Sequence, residues 1–282
     1  MTMKVIESVA GMMEFSRQLH LQHQRIGLVP TMGYLHEGHL SLIRLVREKS
    51  DRVVVSIFVN PSQFAPGEDF EKYPRDFERD QSLCRQEGVD CIFHPAAAEM
   101  YPSAHRTSVI TDQLADKLCG LSRPTHFQGV TTIVAKLFNI IRPDIAVFGQ
   151  KDAQQSLIIR RMVSDLNFPV QILVAPIVRE TDGLALSSRN KYLSPAQRAA
   201  APVLFQALQE AEHMIQSGET NSNKIRAAMM AKIQAVPEAR LDYLAIVDFQ
   251  QLEPVQQIAS GTLIAVAAYF GATRLIDNII IA

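Results

Sequence analysis

The run Arg52-Val53-Val54-Val55-Ser56-Ile57-Phe58-Val59 constrains the fold of this chain more than any other stretch. It is almost continuously β-branched and apolar, with none of the polar alternation expected of a strand whose sheet has one wet face. A strand of this kind must be covered on both faces, which points to a parallel sheet sandwiched between helices. The flanking sequence repeats the pattern. Short apolar runs at Lys4–Glu7, Gly27–Pro30, Val89–Phe93, Ile145–Phe148 and Val170–Val174 read as further strands. Between them lie helical stretches: one capped by Ser8 and running towards Gln22, then Leu40–Lys49, Arg75–Glu87 stopped by Gly88, Gly129–Ile141 ahead of Pro143, and Ala153–Leu166. About five strands alternate with helices, which predicts right-handed β-α-β units and a doubly wound, Rossmann-like α/β sheet. From His94 to Gln128 the signal weakens, with Pro95, Pro102 and Pro124 punctuating short elements.

After Pro176 the pattern changes. Thr181-Asp182-Gly183 reads as a turn, and Leu186–Leu193 is short and polar. Ser194 as cap and Pro195 at the first helical position predict one long helix to Gln216, closed by Gly218. A second helix over Asn223–Gln234 follows, then strands at Leu241–Val247, Thr262–Phe270 and Thr273–Ile281, the last two a hairpin around Gly271-Ala272. Helices followed by strands make a smaller α+β domain. The expected division is 1–176 and 177–282.

Composition narrows the function classes. A net charge of −1 over 282 residues offers no electrostatic argument for nucleic acid or an anionic membrane. The longest apolar runs are too short to cross a bilayer, and the first twenty residues carry Glu7 and Glu14 with no basic start and apolar core. Three cysteines without paired spacing suit a reducing compartment, so a cytoplasmic protein is expected.

The chemistry concentrates in Leu28-Val29-Pro30-Thr31-Met32-Gly33-Tyr34-Leu35-His36-Glu37-Gly38-His39. Here an apolar run gives way to a glycine-bearing turn and then to two histidines three residues apart. Gly33 and Gly38 allow close backbone approach, and a helix start offers unpaired N–H groups to an anion. Phosphate binding assisted by imidazole is the reading this supports. Half of a metal site is the alternative, though Cys84, Cys91 and Cys119 supply no matching ligand spacing. Further polar stretches follow other strands: Asn60–Phe64 after Val59, Gly149–Asp152 after Phe148, and the segment after Val174. In a doubly wound sheet these all lie beyond the carboxyl ends, where ligands bind.

Taken in order, these motifs resemble those of the pantothenate synthetase (pantoate–β-alanine ligase) family. The resemblance is carried by Val29–Gly33 with His36-Glu37-Gly38-His39, Ser56–Phe64, Tyr73-Pro74-Arg75, His126–Val130, Arg142-Pro143-Asp144, Phe148–Asp152 with Gln154-Gln155, Ser187-Ser188-Arg189-Asn190, and Arg274–Asn278. It implies condensation of (R)-pantoate with β-alanine, driven by ATP cleavage to AMP and diphosphate through a pantoyl adenylate. The same resemblance assigns catalytic roles to His39, His36, Lys151 and Arg189. ATP would be held by Met32, Gly33, Tyr34, Leu35, His36, Glu37, Gly38 and His39, by Gly149, Gln150, Lys151 and Asp152, and by Val178, Leu186, Ser187, Ser188 and Arg189. Gln63 and Gln155 match pantoate-binding glutamines, and Gln63 also lies near β-alanine. Asn60, Arg123 and His126 match pocket positions. Mg²⁺ would bridge the phosphates, with Asp80 as a carboxylate towards it or else a solvated helix residue. A homodimer is the assembly implied. Gln150 and Leu186 occupy variable slots that would offer only backbone contacts.

Two other functions compete. An adenylyl-transferring enzyme on the same scaffold would keep the histidines but has no use for Asn60–Phe64 and Gln155. A nucleotide-binding sensor without chemistry would not need Lys151 or His39. A partner-binding role for the carboxyl-terminal helices is compatible with catalysis.

Overall fold

The structure is a computed structural model and describes residues 3–281. It separates into two compact units. The first comprises the chain up to Gly149 together with Gln154–Pro176; the second comprises Gln150–Ala153 and the chain from Ile177 onwards.

The first unit begins with β1 (Lys4–Ile6), α1 (Val9–Leu21), β2 (Ile26–Thr31), α2 (Glu37–Arg47) and β3 (Arg52–Ile57). After a 3₁₀ turn at Pro61–Gln63 come α3 (Phe77–Gln86), β4 (Cys91–Phe93), and two single-turn helices, α4 (Ala97–Met100) and α5 (Cys119–Ser122). Then follow α6 (His126–Ile141), β5 (Ile145–Gly149), a 3₁₀ turn at Gln150–Asp152, α7 (Ala153–Asp165) and β6 (Gln171–Ala175). The six strands form one sheet in the order β1-β4-β3-β2-β5-β6, and every pair is parallel. The β-α-β alternation therefore yields six strands, with the short run expected at Lys4–Glu7 present as β1 at the edge beside β4. The order in which the chain adds strands reverses between β2 and β5, which puts the switch point next to the carboxyl end of β2.

Val53, Val54 and Val55 are wholly buried, as a strand covered on both faces requires. Leu42, Ile43 and Val46 of α2 pack with Val29, Val53, Val55 and Val147 in one apolar cluster. Gly27 permits that contact: a Cβ there would stand 2.4 Å from Val46 Cγ2. The Ser8 cap is present, its Oγ accepting from Gly11 N. Helix α2 starts at Glu37 rather than Leu40, because the turn before it already delivers His36 as the cap residue.

The second unit contains a 3₁₀ turn (Ser188–Tyr192), α8 (Pro195–Ala200), α9 (Val203–Gln216), α10 (Ser222–Gln234), and strands β7 (Ala239–Asp248), β8 (Thr262–Phe270) and β9 (Thr273–Ile280) in one antiparallel sheet. Leu204, Leu208 and Ala211 of α9 and Ile225, Met229 and Ile233 of α10 bury against Ile264, Val266 and Phe270 of β8. The expected single helix from Ser194 to Gln216 is two helices. The capping box of Ser194 and Gln197 starts the first, but Pro202 lacks an amide proton and the chain reinitiates at Val203.

Candidate active site

The loop after β2 is built on two consecutive residues in the left-handed region, Gly33 at φ +81° and Tyr34 at φ +52°. Glycine tolerates this; tyrosine does so at a cost of about 1 kcal/mol. A Cβ at Gly33 would also stand 3.0 Å from both Asp80 Oδ2 and Ile57 Cγ2. The strain is held by the neighbours. Thr31 Oγ1 accepts from Gly33 N at 3.1 Å and donates to Ser56 O at 2.8 Å. Asp80, on α3, takes Tyr34 N on Oδ2 and Leu35 N on Oδ1, each at 2.7 Å. Arg79 donates to Leu35 O at 2.8 Å and lays its guanidinium over the Tyr34 ring.

This corrects one of the two expectations for Asp80. It is not a solvated helix residue, being only 1% exposed. Each of its oxygens accepts a backbone amide, which gives the side chain a structural task in the loop. Burial pushes its carboxyl above the ordinary range, against the pull of the Leu35 and Tyr34 amides and of Arg79. Nothing in its local sequence distinguishes it from Glu78 two residues earlier. Only the fold carries it to the loop 45 positions upstream.

The turn so fixed delivers two imidazoles at the start of α2. His36 is the cap residue, and its backbone N–H donates to His39 Nδ1 at 3.3 Å. The rings lie 4.1 Å apart between centroids. Because Nδ1 of His39 accepts, its neutral ring carries the proton on Nε2 and presents that edge as a donor. The pair stands beside the switch point, at the positive end of α2.

The second cluster follows β3. Asn60 is 1% exposed and wholly committed: Nδ2 donates to Gln63 Oε1 at 2.9 Å and Gly129 O at 3.0 Å, while Oδ1 accepts from Ser62 Oγ and Tyr101 OH. Since Asn60 occupies Gln63 Oε1, the Gln63 side chain is oriented with its amide nitrogen as the remaining functional end. Its backbone is pinned as well, Gln63 O accepting from Arg123 Nη2 at 3.2 Å and lying 3.0 Å from His126 Nδ1. Three expected pocket residues, Asn60, Arg123 and His126, thus converge on Gln63 and position it. Gly129 makes this possible: a Cβ there would stand 2.3 Å from Ser62 O and 2.8 Å from Gln63 N.

Arg123 also forks onto Glu68, Nε to Oε1 at 2.7 Å and Nη2 to Oε2 at 2.6 Å. Burial works to raise the Glu68 carboxyl, but the Arg123 fork, the Ala65 amide and His126 outweigh it and hold it below its ordinary value. The Phe64–Tyr73 loop is therefore anchored. Arg75 donates to Phe70 O and Tyr73 O, and Phe64 meets Phe70 and Tyr73 edge to face. On α7, Gln154 is consumed by Cys119 N, Leu114 O and Lys117 O, while Gln155, one position on, is half-buried.

The remaining expected residues belong to the second unit, except Gly149 at the end of β5. Val178 O accepts from Leu186 N at 3.0 Å, closing a ribbon whose turn is Gly183. The ribbon leads into Ser187, whose Oγ caps the Ser188–Tyr192 turn by accepting from Arg189 N at 3.3 Å. Arg179 braces the ribbon, forking onto Asp277 at 2.5 and 2.9 Å and donating to Gly183 O. Burial pushes the Asp277 carboxyl up, opposed by Arg179, the Asn278 amide and Lys151. The turn bearing Gln150, Lys151 and Asp152 is held by Asn278, which donates to Gln150 O and Lys151 O at 3.0 Å each. Reading the residues one by one gives Glu68, Arg79, Tyr101, Arg179, Asp277 and Asn278 no role in the site. Asp277 and Asn278 had a signal, lying in one of the motifs that carry the resemblance.

A parallel sheet with a strained, glycine-bearing turn, a helix start and a histidine pair at its switch point defines a phosphate-handling nucleotide-binding α/β protein. Comparison with known proteins narrows the class. The family model for pantoate-beta-alanine ligase matches residues 4–280. A pantothenate synthetase of Thermotoga petrophila is 54% identical over 279 residues, spanning 99% of this chain and 100% of the relative. The crystal structure of a pantothenate synthetase from Thermus thermophilus superposes with a TM-score of 0.94 at 47% identity, covering 98% of this chain and 99% of that one. A pantoate-beta-alanine ligase from Francisella tularensis, complexed with beta-gamma ATP and beta-alanine, matches with a TM-score of 0.81 at 32% identity over 99% of this chain and 98% of its own. This chain belongs to the pantoate-beta-alanine ligase family.

Proposed function

We infer that this chain condenses (R)-pantoate with β-alanine to pantothenate, cleaving ATP to AMP and diphosphate through a pantoyl adenylate. The observation that carries the reading is the family match along essentially the whole chain, residues 4–280. The geometry suits the chemistry. Pantoate attacks the α-phosphorus as a carboxylate already ionised at neutral pH, so the first step needs no base. What it needs is alignment and donors facing the charge that develops on diphosphate. His39 Nε2–H, His36 and the start of α2 supply these from the first unit. Lys151 adds a mobile point charge and Arg189 a planar fork, with Ser187 and Ser188 as further donors.

In this reading adenosine is cradled by Val178 and the backbone of Gly149 and Asp152, with a backbone contact at Leu186. On the acid side, Gln63 and Gln155 hold pantoate with neutral amides that bond hydroxyl and carboxylate alike, and Gln63 also meets β-alanine. The amine then attacks the acyl carbon and AMP departs. The mixed anhydride hydrolyses if water reaches it, and in this reading the Phe64–Tyr73 loop covers that step.

Mg²⁺ enters as part of the co-substrate. Among the described residues no three His, Cys, Asp or Glu side chains are grouped to hold a metal, and Asp80 has both oxygens engaged. The phosphate oxygens of ATP are its natural ligands. A cytoplasmic homodimer completes the reading. Among the described residues no helix is long and apolar enough to cross a membrane.

Diphosphate release from Mg·ATP, measured with pantoate and β-alanine each present or omitted, tests this directly. Release that needs pantoate, with sustained turnover only when β-alanine is added, is the expected result. Release indifferent to pantoate would overturn it in favour of another acceptor, and no release in any mixture would favour a sensor.

A further inference from the structure

The turn that carries Lys151 follows β5 in sequence, yet it is fastened to β9. Asn278, buried at 3% exposure, spends both amide hydrogens on consecutive carbonyls of that turn, Gln150 O and Lys151 O. Its own carbonyl faces Gln150 Nε2 at 3.4 Å. Aspartate, of the same shape, would instead present acceptors to two carbonyls. The preceding residue of the strand has a parallel task. Asp277 receives the Arg179 fork and the Asn278 N–H at 2.8 Å, and Arg179 braces the ribbon that ends in Ser187-Ser188-Arg189. Two adjacent positions of β9, itself paired along its whole length with β8, therefore mount two segments about 25 residues apart in sequence.

We propose that Asn278 is a positioning residue of the adenylation step, mounting Lys151 on the same strand that, through Asp277 and Arg179, mounts the Ser187–Arg189 clamp. This rests on the reading of Lys151 as a cation facing the departing diphosphate. Fixing the Lys151 carbonyl fixes the root of its side chain, leaving only the four-carbon stem to search for the phosphate. The two cationic segments keep a constant separation because one rigid strand carries both. Freed from Asn278, the Lys151 ammonium would spread over more positions and stabilise the transition state less, while pantoate recognition by Gln63 and Gln155 would be untouched.

The test is a double-mutant cycle on pantoate-dependent diphosphate release with Asn278→Asp, Lys151→Ala and the double variant. Asn278→Asp should lower kcat by roughly tenfold or more and leave the pantoate KM within about twofold, the pattern of an interaction made in the transition state. In the Lys151→Ala background the same substitution should change kcat by less than about twofold, because its target is already gone. Asn278→Ser, which keeps one donor, should fall between parent and Asp; it carries the cycle if the Asp variant does not fold. Full additivity of the two losses, or parental kcat in Asn278→Asp, would overturn the proposal. Parental kcat in Lys151→Ala would instead overturn the reading of Lys151, and the positioning role with it.

Discussion

Removing the Asp80 carboxylate should damage catalysis from a position that touches no substrate. Asp80 receives two backbone amides at 2.7 Å, one of them on Leu35, which is wholly buried. Hydrogen bonds to a charged acceptor contribute about 1.5–3 kcal/mol each, so the pair is worth about 3–6 kcal/mol. Alanine also removes a charge whose burial is unfavourable, which offsets part of that loss. The left-handed backbone at Gly33 and Tyr34 loses its main restraint, although Arg79 still reaches Leu35 O. The expected destabilisation of Asp80→Ala is about 2–4 kcal/mol. Asp80→Asn keeps one acceptor and turns an NH₂ against the other amide, for about 1–3 kcal/mol. In both variants the turn that delivers His36 and His39 loosens, and displacement of about 1 Å at such groups can cost about a hundredfold in rate.

Urea unfolding gives the stability change, and diphosphate release gives kcat. Adding Mg²⁺ well beyond ATP should not restore either variant, because the lost interaction is with the backbone. Recovery with excess Mg²⁺ would make Asp80 a metal ligand and refute the argument. So would a stability change under about 0.5 kcal/mol with parental kcat, since the loop would then be held by something else.

Three further outcomes are expected. His39→Ala should cut kcat for diphosphate release by about two orders of magnitude or more, the scale of one oriented transition-state donor, and near-parental kcat would remove His39 from the mechanism. Gly129→Ala drives a methyl into Ser62 O and Gln63 N, so the pantoate and β-alanine KM should rise more than the ATP KM, with about 1–3 kcal/mol of lost stability; equal effects on all three KM values would contradict the packing argument. Glu68 is held below its ordinary value by Arg123, so its contribution is present above the unfolded carboxyl pKa of about 4.3 and is lost as pH falls through the lower folded value. In urea unfolding the stability gap between parent and Glu68→Gln should shrink as pH falls below about 4.3, and a gap independent of pH would show that the ion pair contributes nothing.

The strand and helix sequence of the first unit was legible from the chain alone. Covered strands such as Val53–Val55 and amphipathic helices such as α2 are imposed by local periodicity and burial, which a linear pattern records. So was the chemistry of Leu28–His39, where a turn, a helix start and two imidazoles fall within one short stretch. The break at Pro202 was also written in the sequence, but the strong Ser194-Pro195 start outweighs it in a linear reading. What only the tertiary structure decided is which polar side chains hold the site and which are left to act on substrate. Asn60, Arg123 and His126 sit in or beside resemblance-bearing segments as Gln63 does, yet three of the four converge to orient the fourth. Asp80 looks like any acid on a helix until the fold sets it beneath Tyr34 and Leu35, and Asn278 looks like any strand asparagine until it meets the Lys151 turn. Apart from the Asn60–Gln63 bond, three positions apart, the hydrogen bonds that make these assignments join residues 45 to 128 positions apart, and no local pattern encodes them.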